Sequence, residues 1–211
     1  MTGVNTVRWN RLRYSLYAPL YDRVWFFTRQ RRRSIGLLDP RPGERLLLVG
    51  AGPAHDLELI PQGVRVLVTD VAPGMIARAR RRARAGVEFA VMDGAHLELP
   101  DAGFDAAILH LVLAVMPDPA ACVREVARVL VPGGRAVVFD KFLADGARPS
   151  RLRRAANLVS DALATDFNRR LGDILSQAAA PFEVVRDEPA AVGGLFRIVE
   201  LRRTGAPFAR P

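Results

Sequence analysis

The sequence predicts an α/β fold: a doubly wound, mostly parallel sheet of seven strands with an antiparallel strand at one edge. Three observations predict it. Short runs of Val, Leu and Ile alternate along the chain with helical patterns. The first apolar run, Leu46-Leu47-Leu48-Val49, stops at Gly50 and is followed by a second glycine, Gly52. The last two strand-like runs, Phe182–Asp187 and Leu195–Arg203, are joined only by a loop containing Gly193-Gly194. They read as a β-hairpin, which supplies the antiparallel member.

Each element has a local reason. Residues 5–38 are helical in pattern, with Trp9, Tyr14, Tyr17, Tyr21, Trp25, Phe26 and Phe27 interleaved. Pro19 splits them into two helices with a joint. Pro40-Arg41-Pro42-Gly43 is a turn. Arg45–Val49 is the first strand, and Ala54–Ile60 a short helix stopped by Pro61. Arg65–Thr69 is the second strand. Pro73 opens the helix Pro73–Ala85, which Gly86 closes. Val87–Met92 and Phe104–Leu109 are strands three and four. Asp118 caps a helix running to Leu130, with Pro119 in its first turn. Pro132-Gly133-Gly134 turns the chain into strand five, Arg135–Phe139, and Arg148–Ala180 is mostly helical.

The chain has 211 residues, 50% of them hydrophobic, which suits one domain with a real core rather than a disordered segment. No apolar run reaches the ~20 residues of a membrane span. Trp9, Asn10 and Tyr14 interrupt the N-terminal stretch, so no secretion signal is expected. The single cysteine, Cys122, forms no internal disulfide and reads as helix packing, and the cytoplasm is the expected compartment. Lys and Arg total 31 against 22 acids, a net charge of +9, and Lys141 is the only lysine. That excess favours an anionic partner or reflects composition alone.

The strand ends gather polar groups on one rim: Gly50 and Gly52, then Asp70, Asp93 with Gly94-Ala95, His110 and Asp140. In open α/β sheets ligands sit at this carboxyl edge. A glycine turn beside an acid on the next strand makes a nucleoside site, because glycine admits the ligand to the backbone and the acid accepts from a ribose diol. A nicotinamide fingerprint needs a third glycine where His55 stands, which counts against a dinucleotide.

Gly50-Ala51-Gly52, Thr69–Met75, Met92–Pro100, Phe104-Asp105 and Glu125–Arg135 together resemble the class I S-adenosylmethionine-dependent methyltransferases, in order and spacing, over residues 45–203. Tyr17-Ala18-Pro19-Leu20-Tyr21-Asp22 resembles the branch holding the small bacterial phosphatidylethanolamine N-methyltransferases and the ubiquinone and menaquinone methyltransferases. Val115–Pro119 and the compact length lean to the former. The resemblance implies a single Rossmann-like methyltransferase domain over 1–211, with an N-terminal helical lid over 1–40 and a cofactor-binding core over 41–211.

It also implies roles. Asp70 would accept both ribose hydroxyls, with a helix cap as the alternative. Asp93 would accept from the adenine amino group, with Gly94 and Ala95 nearby, and Val71 and Met75 would flank adenine and ribose. Tyr17 and Tyr21, four apart, would close over the cofactor from the lid, or simply pack. The family's usual acid two residues before the first glycine is Leu48 here, and its third glycine is Ala54. Asp56 or a carbonyl near His110 stands as the replacement acceptor. His110, Tyr21 and Asp140 are the catalytic candidates: His110 as base, substrate contact or buried imidazole, and Asp140 with Lys141 facing the substrate or paired on the rim. Three dispersed histidines give no metal-ligand spacing.

The implied activity is methyl transfer from S-adenosylmethionine to a lipid amine such as phosphatidylethanolamine. The alternatives are a quinone or other small molecule, or a cofactor-binding regulator without turnover. Trp25, Phe26 and Phe27 beside Arg29–Arg33, with Arg151, Arg153 and Arg154, offer a seat on an anionic membrane, or a solvated basic face. Nucleic acid is disfavoured. Leu109-His110-Leu111-Val112 is not the tetrapeptide of amino-methylating DNA enzymes, and Cys122 is not in a Pro-Cys context. Oligomeric state is not legible.

Overall fold

The computed structural model describes residues 6–21, 27–143 and 169–205, with the backbone alone over 17–21. Helix α1 is Val7–Tyr21 and α2 Thr28–Leu38. Then come β1 Arg45–Val49, a 3-10 turn His55–Leu59, β2 Arg65–Asp70 and α3 Pro73–Ala79. They are followed by β3 Val87–Val91, β4 Phe104–His110, α4 Pro119–Val129 and β5 Leu130–Lys141. The described chain closes with α5 Leu171–Ala178, β6 Phe182–Ala191 and β7 Phe196–Arg203.

The seven strands form one sheet in the order β3-β2-β1-β4-β5-β7-β6. Strands β3, β2, β1, β4 and β5 run parallel. The antiparallel member is β7, paired with β5 on one side and with β6 on the other. The order reverses at β1, whose neighbours are β2 and β4, and that switch opens the crevice.

Strand β1 shows why its sequence reads as an unbroken apolar run. Leu47 and Val49 pack into a layer with Val123 and Val126 of α4 and Ile174 of α5. Leu46 and Leu48 point to the opposite face, into a layer with Ile35 and Leu38 of α2 and Ile76 and Ala79 of α3. A strand covered on both faces keeps no polar side. Arg135 ties the sheet to α2 and β1: its guanidinium reaches the Leu38 carbonyl at 3.1 Å and both Glu44 carboxylate oxygens at 2.8 and 2.9 Å.

Three elements depart from their sequence reading. Helix α1 continues through Pro19 to Tyr21, and α2 opens at Thr28. Pro19 lies in the last turn, where a missing N–H costs only one terminal hydrogen bond. Helix α3 stops at Ala79 and tightens into a 3-10 turn over Arg80–Arg82. There Arg82 binds the Pro53 carbonyl at 3.2 Å and His55 Nδ1 at 2.9 Å, and Arg84 binds the Ile60 carbonyl at 2.9 Å. Finally, β5 begins at Leu130, with a register shift across the Pro132-Gly133-Gly134 segment before regular pairing resumes at Arg135. Trp25, Phe26, residues 148–168 of the expected long helix and the arginines at 151, 153 and 154 lie outside the described residues.

Candidate functional site

A cavity of about 300 Å³ opens along the carboxyl ends of the parallel strands. Its lining follows the strand order: Asp93 and Gly94 beyond β3, Asp70 and Val71 at β2, Gly50–Pro53 beyond β1, His110–Val112 at β4, Lys141 at β5 and Phe196 at β7. Helix α1 closes one side with Val7, Asn10 and Tyr14, which share a face at helical spacing. The Asn10 amide donates to the Val115 carbonyl at 3.2 Å, and the Gly74 N–H donates to Ser15 Oγ at 3.3 Å. Gly74 keeps that docking close, because a Cβ there would lie 3.0 Å from Ser15 Cα.

The turn after β1 needs its glycines. Gly50 and Gly52 have φ of 60° and 56°, and a Cβ on Gly50 would meet Val112 Cγ2 at 2.3 Å. The Asp70 carboxylate locks the turn, accepting from the Gly52 N–H at 2.9 Å through Oδ2 and from the Ala72 N–H at 2.8 Å through Oδ1. Burial pushes its pKa up to about 6, against the pull of those two N–H groups. Each oxygen keeps a further lone pair, so the acid caps the turn and still has capacity for a diol. Met75 is buried in the wall beside Tyr14. At the β3 end, Asp93 Oδ1 accepts from the Ala95 N–H at 3.0 Å. Gly94 sits so close to Val49 that a Cβ would lie 2.7 Å from Val49 Cγ1. Ala95 supports this turn and does not line the cavity.

His110 is held at both ring nitrogens. Nδ1 lies 3.0 Å from Asp56 Oδ2, Nε2 lies 2.9 Å from Ser34 Oγ, and the ring stands edge-on to Phe139. Arg31 donates to the same Asp56 oxygen at 2.7 Å. Burial works to raise the Asp56 pKa, but the charges of His110 and Arg31 and their hydrogen bonds outweigh it and hold the carboxyl well below the usual range. An ionised Asp56 accepts from Nδ1, and Nε2 and the Ser34 hydroxyl pair at the other side of the ring. Both ring nitrogens are engaged, and the ring lines the cavity. Asp56 itself does not line the cavity; it contacts Arg31 and His110, which do.

Asp140 also departs from its expected place on the rim. It is 0% exposed and turned inward, accepting from the Ala114 N–H at 2.9 Å and the Lys141 N–H at 2.8 Å. It thereby shapes the segment after β4, and Lys141 alone of the pair reaches the cavity. Burial lowers the Lys141 pKa, with the Asp140 charge opposing. Beside Lys141 stands an aromatic wall: Phe27 and Phe196 have ring centroids 4.5 Å apart, and Phe139 packs behind them at 5.6 and 5.8 Å. The side chains of Tyr17 and Tyr21 lie outside the described residues.

Asn10, Phe27, Arg31 and Phe196 line the cavity without having been singled out from sequence as cofactor or catalytic residues. The Asn10/Tyr14 spacing was a readable signal. Arg31 was hidden inside a run of arginines.

A family model described as a methyltransferase domain matches residues 47–138. A phosphatidylethanolamine N-methyltransferase from Cereibacter sphaeroides is 30% identical over 178 residues, covering 82% of this chain and 86% of that protein. The chain belongs to the class I S-adenosylmethionine-dependent methyltransferases. A demethylmenaquinone methyltransferase from Corynebacterium efficiens is 39% identical over 120 residues, covering 56% of this chain and 49% of that protein, so the match spans about half of that relative. Among solved structures, the cyclase SpnF superposes with a TM-score of 0.76 at 20% identity, covering 94% of this chain and 97% of that one. A Burkholderia thailandensis 1,6-didemethyltoxoflavin-N1-methyltransferase, solved with bound 1,6-didemethyltoxoflavin and S-adenosylhomocysteine, gives 0.67 at 21%, covering 92% and 87%. These two likenesses establish the shared fold. The protein is thus an S-adenosylmethionine-dependent methyltransferase acting on a small organic acceptor. No helix among the described residues is long and apolar enough to cross a membrane.

Proposed function

We propose that this methyltransferase modifies a flat, ionisable aromatic molecule of the phenol or quinol type. The observation that carries the reading is the wall of Phe27, Phe196 and Lys141 at the β5–β7 end of the cavity. This aromatic wall suits a planar guest, and an ammonium group beside it favours the phenolate over the phenol. The carboxylates that line the cavity, Asp70 and Asp93, lie at the opposite end, on β2 and β3. An ammonium acceptor placed near Lys141 meets like charge.

The residues present suit S-adenosylmethionine. Asp70 offers lone pairs toward a ribose diol beside a glycine turn of the right curvature, and Asp93 with the Gly94-Ala95 turn suits the adenine edge, with Val71 and Met75 flanking. When bound, that cofactor supplies a methyl group already activated on a sulfonium. What remains for the chain is to align the acceptor, exclude water and stabilise the attacking oxyanion. Lys141 does the last, while the α1 face of Asn10 and Tyr14 shuts out solvent.

Phosphatidylethanolamine is the second reading, favoured by the Cereibacter relative. Lys141 would then face the phosphate, and water would take the ammonium proton. Transfer of labelled methyl from S-adenosylmethionine decides between the two. The purified protein is offered a demethylated hydroquinone in one reaction and phosphatidylethanolamine vesicles in another. Label in the hydroquinone supports the aromatic reading; label confined to the lipid replaces it with the second.

A further inference from the structure

Leu48 occupies the position of the family's acid, and it is only 1% exposed, packed into the α2–α3 layer. The amino-acid end of the cofactor therefore has no partner from the end of β1. The order of the cavity wall shows where another partner stands. With adenosine at the β3–β2 end and the acceptor at β5–β7, the amino-acid tail falls near the β1 and β4 ends, beside Gly50–Pro53 and His110. Arg31 of α2 reaches the wall at this point, with its side chain 15% exposed. One of its nitrogens, Nη1, is committed to Asp56. Its Nε is buried with no hydrogen-bond partner. The third nitrogen, Nη2, carries no hydrogen bond among the described residues and is the one left open at the cavity wall, and a guanidinium suits a carboxylate above other anions of that size.

We propose that Arg31 binds the α-carboxylate of the S-adenosylmethionine tail, held in orientation by Asp56 and, through Asp56, by His110 and Ser34. This rests on the reading of the cavity as a S-adenosylmethionine site. Asp56 neutralises the guanidinium, so the cluster as a whole matches a zwitterionic tail rather than a net anion. His110 belongs to the same cluster: it shares the Asp56 oxygen with Arg31 and fixes the angle at which the carboxylate presents to it. Arg31 is a binding residue in this scheme, and Asp56, His110 and Ser34 are positioning residues.

Calorimetric titration with two ligands tests it. S-adenosylhomocysteine carries the tail; 5′-methylthioadenosine has the same adenosine and sulfur without it. Arg31→Ala is expected to weaken S-adenosylhomocysteine about 10- to 100-fold and to leave methylthioadenosine within about twofold, and Arg31→Lys to fall between. Because Arg31→Ala strands a buried carboxylate, the double variant Arg31→Met/Asp56→Asn is measured alongside and is expected to show the same split. Equal loss for both ligands, or unchanged S-adenosylhomocysteine affinity in folded variants, overturns the assignment. Failure of the wild-type protein to bind either ligand overturns the cofactor reading instead, so the two failures are distinct.

Discussion

The Asp70 carboxylate and the Gly52 N–H meet at 2.9 Å across the turn that joins β1 to the rest of the crevice. The acid therefore shapes the glycine turn and faces the cavity at once. Its pKa, pushed up to about 6, lies above the ordinary carboxylate value. Hydroxyl donors of a ribose favour the ionised form, so S-adenosylhomocysteine affinity is expected to fall as pH drops through about 6. The sign for stability is opposite. A raised folded-state pKa means that this group's contribution in the ligand-free protein is full near pH 4 and is lost as pH rises through 6. Asp70→Asn is expected to weaken S-adenosylhomocysteine about 10- to 100-fold and to remove the pH dependence, as measured by titration calorimetry from pH 5 to 8.

Gly50→Ala is expected to destabilise by about 1–3 kcal/mol, since it places a Cβ against Val112 and forces a side chain into the left-handed region. The double variant Gly50→Ala/Val112→Ala relieves the contact and leaves the backbone strain. Urea unfolding should therefore show partial recovery relative to the sum of the single changes.

Leu48→Ala is expected to cost about 2–5 kcal/mol, as for a fully buried leucine. Leu48→Asp should cost more and should not tighten S-adenosylhomocysteine, because the side chain at 48 points into the α2–α3 layer. Thermal melts with and without the ligand separate the two effects.

Asp56→Asn removes the counter-charge of a guanidinium that is largely buried, with an expected loss of about 3–5 kcal/mol. His110→Gln should retain turnover within about tenfold, with no limb removed from the pH profile of kcat/KM, if the imidazole positions Arg31 through Asp56 and takes no proton from the acceptor.

Lys141→Met is expected to raise the acceptor KM about tenfold while leaving S-adenosylhomocysteine affinity within twofold, because its place at the β5 end is remote from Asp70 and Asp93. Steady-state kinetics with the hydroquinone acceptor would show it.

Much of this site was legible because it sits at strand ends. Leu46–Val49 announces a strand buried on both faces, and the glycines and Asp70 follow at fixed offsets, so their convergence comes from parallel topology alone. Phe27 and Phe196 meet through packing between opposite ends of the chain, which no local pattern records. Arg31 reads as one member of a basic run, and only the burial of Asp56 beside it distinguishes it from Arg32 and Arg33. Asp140 was misplaced for a related reason: alternation gives the strand its faces, but the segment after β4 folds back to supply the Ala114 N–H that draws the acid inward.

Every role assigned above requires the crevice between β1 and β4 to hold an adenosyl cofactor. Titration of the wild-type protein with S-adenosylhomocysteine, beside NADH as the competing nucleotide, tests that most directly. Saturable one-to-one binding of S-adenosylhomocysteine that Asp70→Asn weakens, with no heat from NADH, is the expected result. Binding of NADH in its place, or silence toward both, would contradict it.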